Sequence, residues 1–124
     1  MIKLVYCVRR LPELLREEFQ RHWRETHGPL VRERAGTLGI KRYVQVHTLE
    51  SPLNEALRAS RGSEGEIFDG VAELWWESAE GLAAGSSTPE GRRAAQELRE
   101  DEKRFIDFGR SVMFVAEENP VVAG

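Results

Sequence analysis

Two hydrophobic periodicities alternate along these 124 residues, and their order constrains the fold more than any other feature. Apolar residues spaced by two, typical of strands, occur at 2–8, 40–47, 69–76 and 111–117. Apolar residues spaced by three and four, typical of helices, occur over much of 12–34 and 88–106. The chain therefore has the order β-α-β-β-α-β.

This order predicts an α+β fold of the ferredoxin-like type, with a four-stranded antiparallel sheet and its helices on one face. The other face would carry Lys3, Val5, Cys7 and their counterparts on the other strands, a surface too apolar to remain in water. We therefore expect a homodimer in which two sheets face each other. Residues 1–124 have the length of a single domain.

Composition excludes several classes of protein. Charged residues make up 31% of the chain, are interleaved in sign and sum to −3, so no basic excess indicates a nucleic-acid partner. No apolar run approaches the roughly 18 residues of a membrane span, and the N-terminus lacks a signal-peptide pattern. The single cysteine, Cys7, fits a reducing compartment. We expect a cytoplasmic protein without a membrane partner.

Two segments interrupt the regular pattern. Gly28-Pro29 predicts that the first helix kinks or stops near His27, and a further turn or two should follow before Gly36 ends it. Residues 48–66 form a long connection with a possible short helix at 52–59. A connection of this length in a small domain often serves as a lid or a partner contact.

Histidines are the first candidates for chemistry. One interpretation is that His27 forms hydrogen bonds to backbone carbonyls that lose their helical partners at the proline. The other is that His27 acts as a general acid or base and faces the space between helix and sheet. His47 is expected opposite Asp69 at a sheet edge, as an acid–base pair or as an ordinary cross-strand contact. About fourteen helical residues, roughly 21 Å, would separate His27 from that edge, so we treat the two candidates as separate. His22 is expected to face solvent.

Aromatic side chains predict a pocket for a planar or apolar ligand, although ordinary core and dimer packing is the alternative. Trp75 and Trp76 must point to opposite faces of their strand. Asp101 and Glu102 are expected to be solvated. The candidate ligand-binding residues are Trp23, Tyr6, Tyr43, Trp75 and Phe105.

The sequence contains no glycine-rich phosphate loop, haem attachment motif or cluster of metal ligands. His22 and His27 are five residues apart, whereas metal-binding pairs on a helix are three or four apart. We therefore expect neither a metal nor a resident cofactor. An oxidoreductase of this kind would need oxygen chemistry on an activated substrate, or a partner that holds the cofactor.

Three tracts carry a resemblance to a known family: residues 2–6, Phe19-x-x-x-Trp23-x-x-x-His27-Gly28-Pro29, and residues 68–75. Together they resemble the EthD family of the dimeric α+β barrel superfamily, and residues 47–54 look like one bacterial branch of it. The resemblance implies a homodimeric barrel associated with oxidative catabolism of ethers and related small molecules. One departure is Leu14-Leu15, where a polar helix cap is expected.

Several functions stay open at this point. The first is a homodimer that binds a small apolar or aromatic metabolite and acts as a cofactor-free oxidoreductase or other acid–base enzyme of catabolism. Relatives in the superfamily also imply a dehydratase, cyclase or isomerase. The alternative is a non-catalytic protein that carries a ligand for an oxygenase system, or a purely structural dimer with a filled core.

Overall fold

A computed structural model describes residues 1–122, so that the last two residues of the predicted domain, 123 and 124, lie outside the described residues. Its four strands form one sheet in the order β2-β3-β1-β4, and every pairing is antiparallel. The strands are β1 (Ile2–Val8), β2 (Arg42–His47), β3 (Gly70–Trp76) and β4 (Val112–Ala116). This is the predicted ferredoxin-like α+β fold.

Within residues 1–122, five α-helices accompany the sheet, and side-chain oxygens of Ser51, Ser78 and Thr88 cap the last three of them. The helices are α1 (Arg16–His22), α2 (Gly28–Leu38), α3 (Pro52–Arg61), α4 (Ala79–Gly85) and α5 (Pro89–Glu102). The short helix expected at 52–59 is thus present as α3. Within the described residues, no helix combines the length and apolarity needed to cross a bilayer.

The interruption at Gly28-Pro29 takes the form of a π turn, Trp23–His27, which joins α1 to α2. The N–H of Gly28 donates to the carbonyl of Trp23, five residues earlier. Pro29 then falls in the first turn of α2, where its missing N–H is not needed. The predicted helix end at Gly36 is wrong, since α2 continues to Leu38 and is capped by Gly39, whose φ of 75° suits glycine.

The first helix begins at Arg16, four residues later than Pro12, because residues 12–14 form a turn. Its N-cap is Leu15, which has no polar side chain to offer. The carboxylate of Glu18 accepts the N–H of Leu15 at 2.8 Å and so satisfies one of the free donors at this helix end. This bond compensates in part for the missing polar cap.

The core lies between the sheet and the helices in two clusters that share Tyr43 and Leu74. The first is built on Phe19, Trp23 and Phe105, whose side chains are fully buried. The second contains Trp76, whose indole N–H donates to the carbonyl of Leu38 at 2.8 Å. The two clusters fix α2 and α5 over the middle of the sheet.

The face of the sheet turned away from the helices is partly open. Val46, Val112 and Phe114 lie on it and are about half exposed. Trp75 also lies on this face, opposite Lys3 and Arg42 in the strand register. It is 8% exposed because both cationic side chains stack over its ring.

Candidate functional site

His27 lies on the π turn and is buried, with 5% of its surface exposed. Its Nδ1 is 2.8 Å from Oδ2 of Asp101 on α5. A carboxylate only accepts hydrogen bonds, so this bond places the ring proton on Nδ1. The lone pair of a neutral His27 is therefore on Nε2, the atom available to take a proton.

Glu102 lies on the other side of the same imidazole, with Oε2 at 3.9 Å from Nε2 of His27. Burial and the charge of Asp101 raise the pKa of Glu102 to about 7, against the opposing effect of Arg99. A carboxyl with this pKa exchanges its proton near neutral pH. It is therefore suited to donate or accept a proton during a reaction.

The two groups favour complementary protonation states. Burial lowers the pKa of His27, and its bond to Asp101 offsets that effect only in part. A neutral imidazole thus stands beside a carboxyl that retains its proton up to about pH 7. Together they provide one proton acceptor and one proton donor in a buried setting.

His22 belongs to the same cluster, contrary to the expectation that it faces solvent. Its Nε2 is 3.0 Å from Oδ1 of Asp101, and its ring centroid is 4.8 Å from that of Phe105. The ring centroid of His27 is also close to that of Phe105, at 5.1 Å. Asp101 therefore holds two imidazoles that both rest on one buried phenyl ring.

The expectation that Asp101 and Glu102 are solvated is wrong, since 7% of the Asp101 side chain and 20% of the Glu102 side chain are exposed. A sequence signal for Asp101 exists. Ala94 and Leu98 are buried on α5, and Asp101 follows Leu98 at the helical spacing that continues their buried face. A charged residue on such a face is rarely buried without a partner.

Two tyrosines lie within electrostatic range of Glu102. Burial and the charge of Glu102 raise the pKa of Tyr6 to about 12. Burial and the same charge also raise the pKa of Tyr43, whose hydroxyl accepts a hydrogen bond from Nε2 of Gln45 at 2.9 Å. Both hydroxyls therefore keep their protons at neutral pH, and each can donate a hydrogen bond.

His47 is bonded to Gln45 rather than to Asp69: its Nε2 is 2.8 Å from Oε1 of Gln45. Its ring packs on Trp23 at 4.6 Å, and burial and nearby Arg24 lower its pKa. Its Nδ1 is buried and has no hydrogen-bond partner within residues 1–122. Gln45, for which the sequence carries no signal, thus connects His47 to Tyr43.

Asp69 is bonded to two arginines. Nη1 of Arg10 and Nε of Arg16 both donate to its Oδ1, the second at 2.8 Å. Burial alone would raise the pKa of Asp69, but these bonds outweigh it and hold the pKa below its usual value. The structure does not bring Asp69 to His47, which stands opposite Gly70 in the strand register.

The predicted aromatic residues occupy three environments. Trp23 and Phe105 are buried core residues, and Phe105 supports the imidazoles of His22 and His27. Tyr6 and Tyr43 lie near Glu102. Trp75 lies on the opposite face of the sheet, so it does not line the same space as His27.

A cavity of about 420 Å³ opens between α2 and the edge strand β2, and we refer to it as the edge cavity. Gly28, Tyr43 and Gln45 are among its lining residues, whereas neither His27 nor Glu102 lines it. Within residues 1–122, no three or more His, Cys, Asp or Glu side chains are grouped so as to hold a metal ion.

Comparisons with known proteins agree with this architecture. The EthD domain family matches residues 11–109. The chain is similar to an EthD family protein from Bacillus halodurans C-125, with 22% identity, a TM-score of 0.63, and coverage of 96% of this chain and 99% of that one. A comparison with curated proteins finds no significant match.

Two further solved structures share the fold. A dimeric protein of unknown function with a ferredoxin-like fold, from Bacteroides fragilis, is 9% identical over 94% of this chain and 95% of that chain, with a TM-score of 0.59. SnoaB, a cofactor-independent oxygenase from Streptomyces nogalater, is 12% identical over 99% of this chain and 97% of that chain, with a TM-score of 0.55. At these identities the similarity concerns the fold alone.

Proposed function

This chain belongs to the EthD family, and we propose that it binds a small apolar or aromatic metabolite and carries out cofactor-free acid–base chemistry on it. One observation carries the proposal. His27 is held by Asp101 through Nδ1, while its Nε2 faces Glu102, whose pKa is raised to about 7. Buried groups with shifted pKa values of this kind are typical of active sites.

The proposed step is a proton transfer. Nε2 of His27 takes a proton from an acidic C–H or O–H group of the metabolite, and the resulting imidazolium is stabilised by the carboxylate of Asp101. Protonated Glu102 gives its proton to an oxygen on which negative charge develops. Tyr6 and Tyr43 are the hydrogen-bond donors that position this oxygen.

Several reaction types begin with this step. Proton removal at one atom and delivery at another gives an isomerisation, and loss of a hydroxyl after the same step gives a dehydration. A deprotonated, electron-rich substrate can also react with molecular oxygen, which then serves as the oxidant. A cofactor-independent oxygenase occurs among the proteins that share this fold, which supports including oxidation.

The experiment uses a small-molecule extract of the cells that make the protein. Purified protein is incubated with the extract under air and under argon, and metabolites are followed by mass spectrometry. We expect one metabolite to be consumed by the wild type and not by His27→Asn or Glu102→Gln. A product that requires air indicates oxidation, and a product formed under argon indicates isomerisation or dehydration.

Glu100→Gln is the matched control, because Glu100 lies on α5 beside the site and pairs with Lys103 on the protein surface. This variant should consume the metabolite as the wild type does. Equal consumption by wild type and His27→Asn, with both proteins folded, would contradict the proposal.

A second candidate is a non-catalytic protein that carries a ligand for an oxygenase system. It is favoured by the position of the edge cavity, which Tyr43 and Gln45 line but His27 and Glu102 do not. This function predicts that native mass spectrometry finds a small organic molecule bound to the protein. The protein would then release this molecule chemically unchanged, both under air and under argon.

We also propose that the protein acts as a homodimer through the open face of its sheet. That face exposes about half of the apolar side chains of Val46, Val112 and Phe114. Exposure of a contiguous apolar surface to water is unfavourable for an isolated subunit. The existence of a dimeric ferredoxin-like protein with the same fold supports the proposal.

A further inference from the structure

The edge cavity combines an apolar wall with a cationic rim, and we propose that it binds a small organic anion with an apolar or aromatic body. This inference rests on the proposed function in one respect: it names the chemical class of the metabolite. The cavity borders the acid–base site, since Gly28 directly follows His27 and Tyr43 lies within range of Glu102.

The wall of the cavity is suited to an apolar body. Val31, Ala35 and Ile40 line it, and they belong to the second core cluster or pack against it. A volume of about 420 Å³ lies within the range of small-molecule pockets, roughly 300–1,000 Å³. At the same cavity, the hydroxyl of Tyr43 can donate to a ligand and orient it, since Gln45 Nε2 donates to the hydroxyl oxygen and to the carbonyl of Trp23.

The rim is cationic and lacks a matching carboxylate. Its four charged residues are Arg24, Arg32, Lys41 and Arg42, and no Asp or Glu lines the cavity. Within residues 1–122, none of the four forms an ion pair with an acidic side chain. Since the guanidinium of Arg42 stacks over Trp75 on the open face of the sheet, the three cations free to face a ligand are Arg24, Arg32 and Lys41. Their local charge of +3 stands out in a chain whose net charge is −3.

In a second cavity, beside Asp69, acidic side chains neutralise the charges of the arginines. Five arginines and three acidic residues line that cavity. Four of these arginines form ion pairs with the three acidic side chains. The rim of the edge cavity has cations in comparable number and no such counterions. A carboxylate or phosphate on the ligand would supply the missing charge, and a guanidinium group binds either oxyanion through paired hydrogen bonds.

The test compares two aromatic probes that differ in charge, 2-naphthoate and the neutral 2-naphthamide, by isothermal titration calorimetry at fixed ionic strength. We expect naphthoate to bind about tenfold more tightly, in keeping with a charge-assisted hydrogen bond. The double variant Arg24→Gln/Arg32→Gln should remove this preference and leave naphthamide binding unchanged. Naphthyl phosphate as a third probe distinguishes a phosphate site from a carboxylate site.

Arg21→Gln is the matched control, because Arg21 is an exposed arginine on the preceding helix that does not line the cavity. It should keep the full preference for naphthoate. No preference for either charged probe, naphthoate or naphthyl phosphate, over naphthamide would overturn the inference. So would a lack of binding of all three probes, or an equal loss of the preference in Arg21→Gln and in the double variant.

Failure of this inference and failure of the proposed function give different results. If the charged probes do not bind while the wild type consumes a neutral metabolite, the inference is overturned and the proposed function stands. If naphthoate binds with the expected preference while no metabolite is consumed, the anion site stands and the acid–base function is overturned.

Discussion

The imidazole of His27 and the carboxylate of Asp101 form a buried hydrogen bond 2.8 Å long, between residues 74 positions apart in the sequence. The bond joins the π turn to the end of α5 and thereby fixes the ring of His27 against Phe105. It also determines which nitrogen faces Glu102. The same contact therefore contributes both to packing and to the chemistry proposed for the site.

Replacing Asp101 by Asn should change the protonation of His27 and weaken the fold. An amide can donate to Nδ1 as well as accept from it, so the preference for a proton on Nδ1 is lost. Replacing a charge-assisted hydrogen bond by a neutral one should lower the free energy of unfolding by about 1 kcal/mol. Nitrogen-15 chemical shifts of the His27 ring report the tautomer, and urea unfolding reports the stability.

Glu100→Gln is again the control, since it removes an acidic residue from the same helix without touching His27. It should leave the His27 ring shifts unchanged and alter the unfolding free energy by less than about 0.5 kcal/mol. Unchanged ring shifts in Asp101→Asn would mean that Asp101 does not set the tautomer of His27.

Glu102 should make the folded protein less stable as the pH rises from about 4.5 to about 7. Its pKa is higher in the folded state than in the unfolded state, so between these values the folded state binds more protons. The stabilisation is therefore complete below the unfolded pKa and is lost as the pH passes through the folded pKa. Integrated over the shift, the loss amounts to roughly 3 kcal/mol at pH 8.

The comparison with Glu102→Gln isolates this contribution, because His27 and His47 have lowered pKa values and change stability with pH in the opposite direction. Glutamine resembles the protonated carboxyl at every pH. The variant should match the wild type near pH 4.5 and exceed it by roughly 3 kcal/mol at pH 8. A pH-independent difference in unfolding free energy would show that Glu102 has an ordinary pKa.

The sequence predicts the fold well because strands and helices have distinct periodicities. The ends of each observed strand lie within two residues of the predicted ends. The alternation of side chains along a strand also predicts correctly that Trp75 and Trp76 lie on opposite faces of β3. The helix ends are predicted less well. Gly36 is a plausible terminator, but Gly39 has the positive φ that ends α2, and sequence spacing does not distinguish the two.

The site is predicted only in part. His27 stands out because it adjoins the proline, and the structure gives it buried partners. Those partners are far away in sequence, and adjacent acids such as Asp101 and Glu102 usually indicate a solvated helix end. Likewise, the strand register is needed to see that His47 stands opposite Gly70 rather than Asp69. A one-residue difference in register changes which side chains meet.

Gly70 should be intolerant of substitution because Trp23 packs directly on it. A Cβ atom at this position would lie 2.5 Å from the Trp23 ring and 2.5 Å from the carbonyl oxygen of Val46. Since that oxygen belongs to the neighbouring strand, Gly70→Ala must displace both ring and backbone. We expect a loss of about 1–3 kcal/mol in unfolding free energy, measured by urea denaturation.

Gly65→Ala is the control for this substitution, because a Cβ atom there would meet no atom of the described residues within 4 Å. Its unfolding free energy should stay within about 0.5 kcal/mol of the wild type. If Gly70→Ala is as stable as Gly65→Ala, the close approach of Trp23 to β3 is not a feature of the protein in solution.

The proposed dimer can be tested on two adjacent residues of β4. Phe114 and Met113 are each 50% exposed, but they point to opposite faces, and Phe114 lies on the open face of the sheet. A carboxylate buried between two sheets is strongly unfavourable, so Phe114→Glu should convert the dimer to a monomer. Met113→Glu adds the same charge on the other face and should leave the dimer intact. Light scattering coupled to size-exclusion chromatography measures both masses. A monomeric wild type, or equal dissociation in both variants, would contradict a dimer formed through the open face.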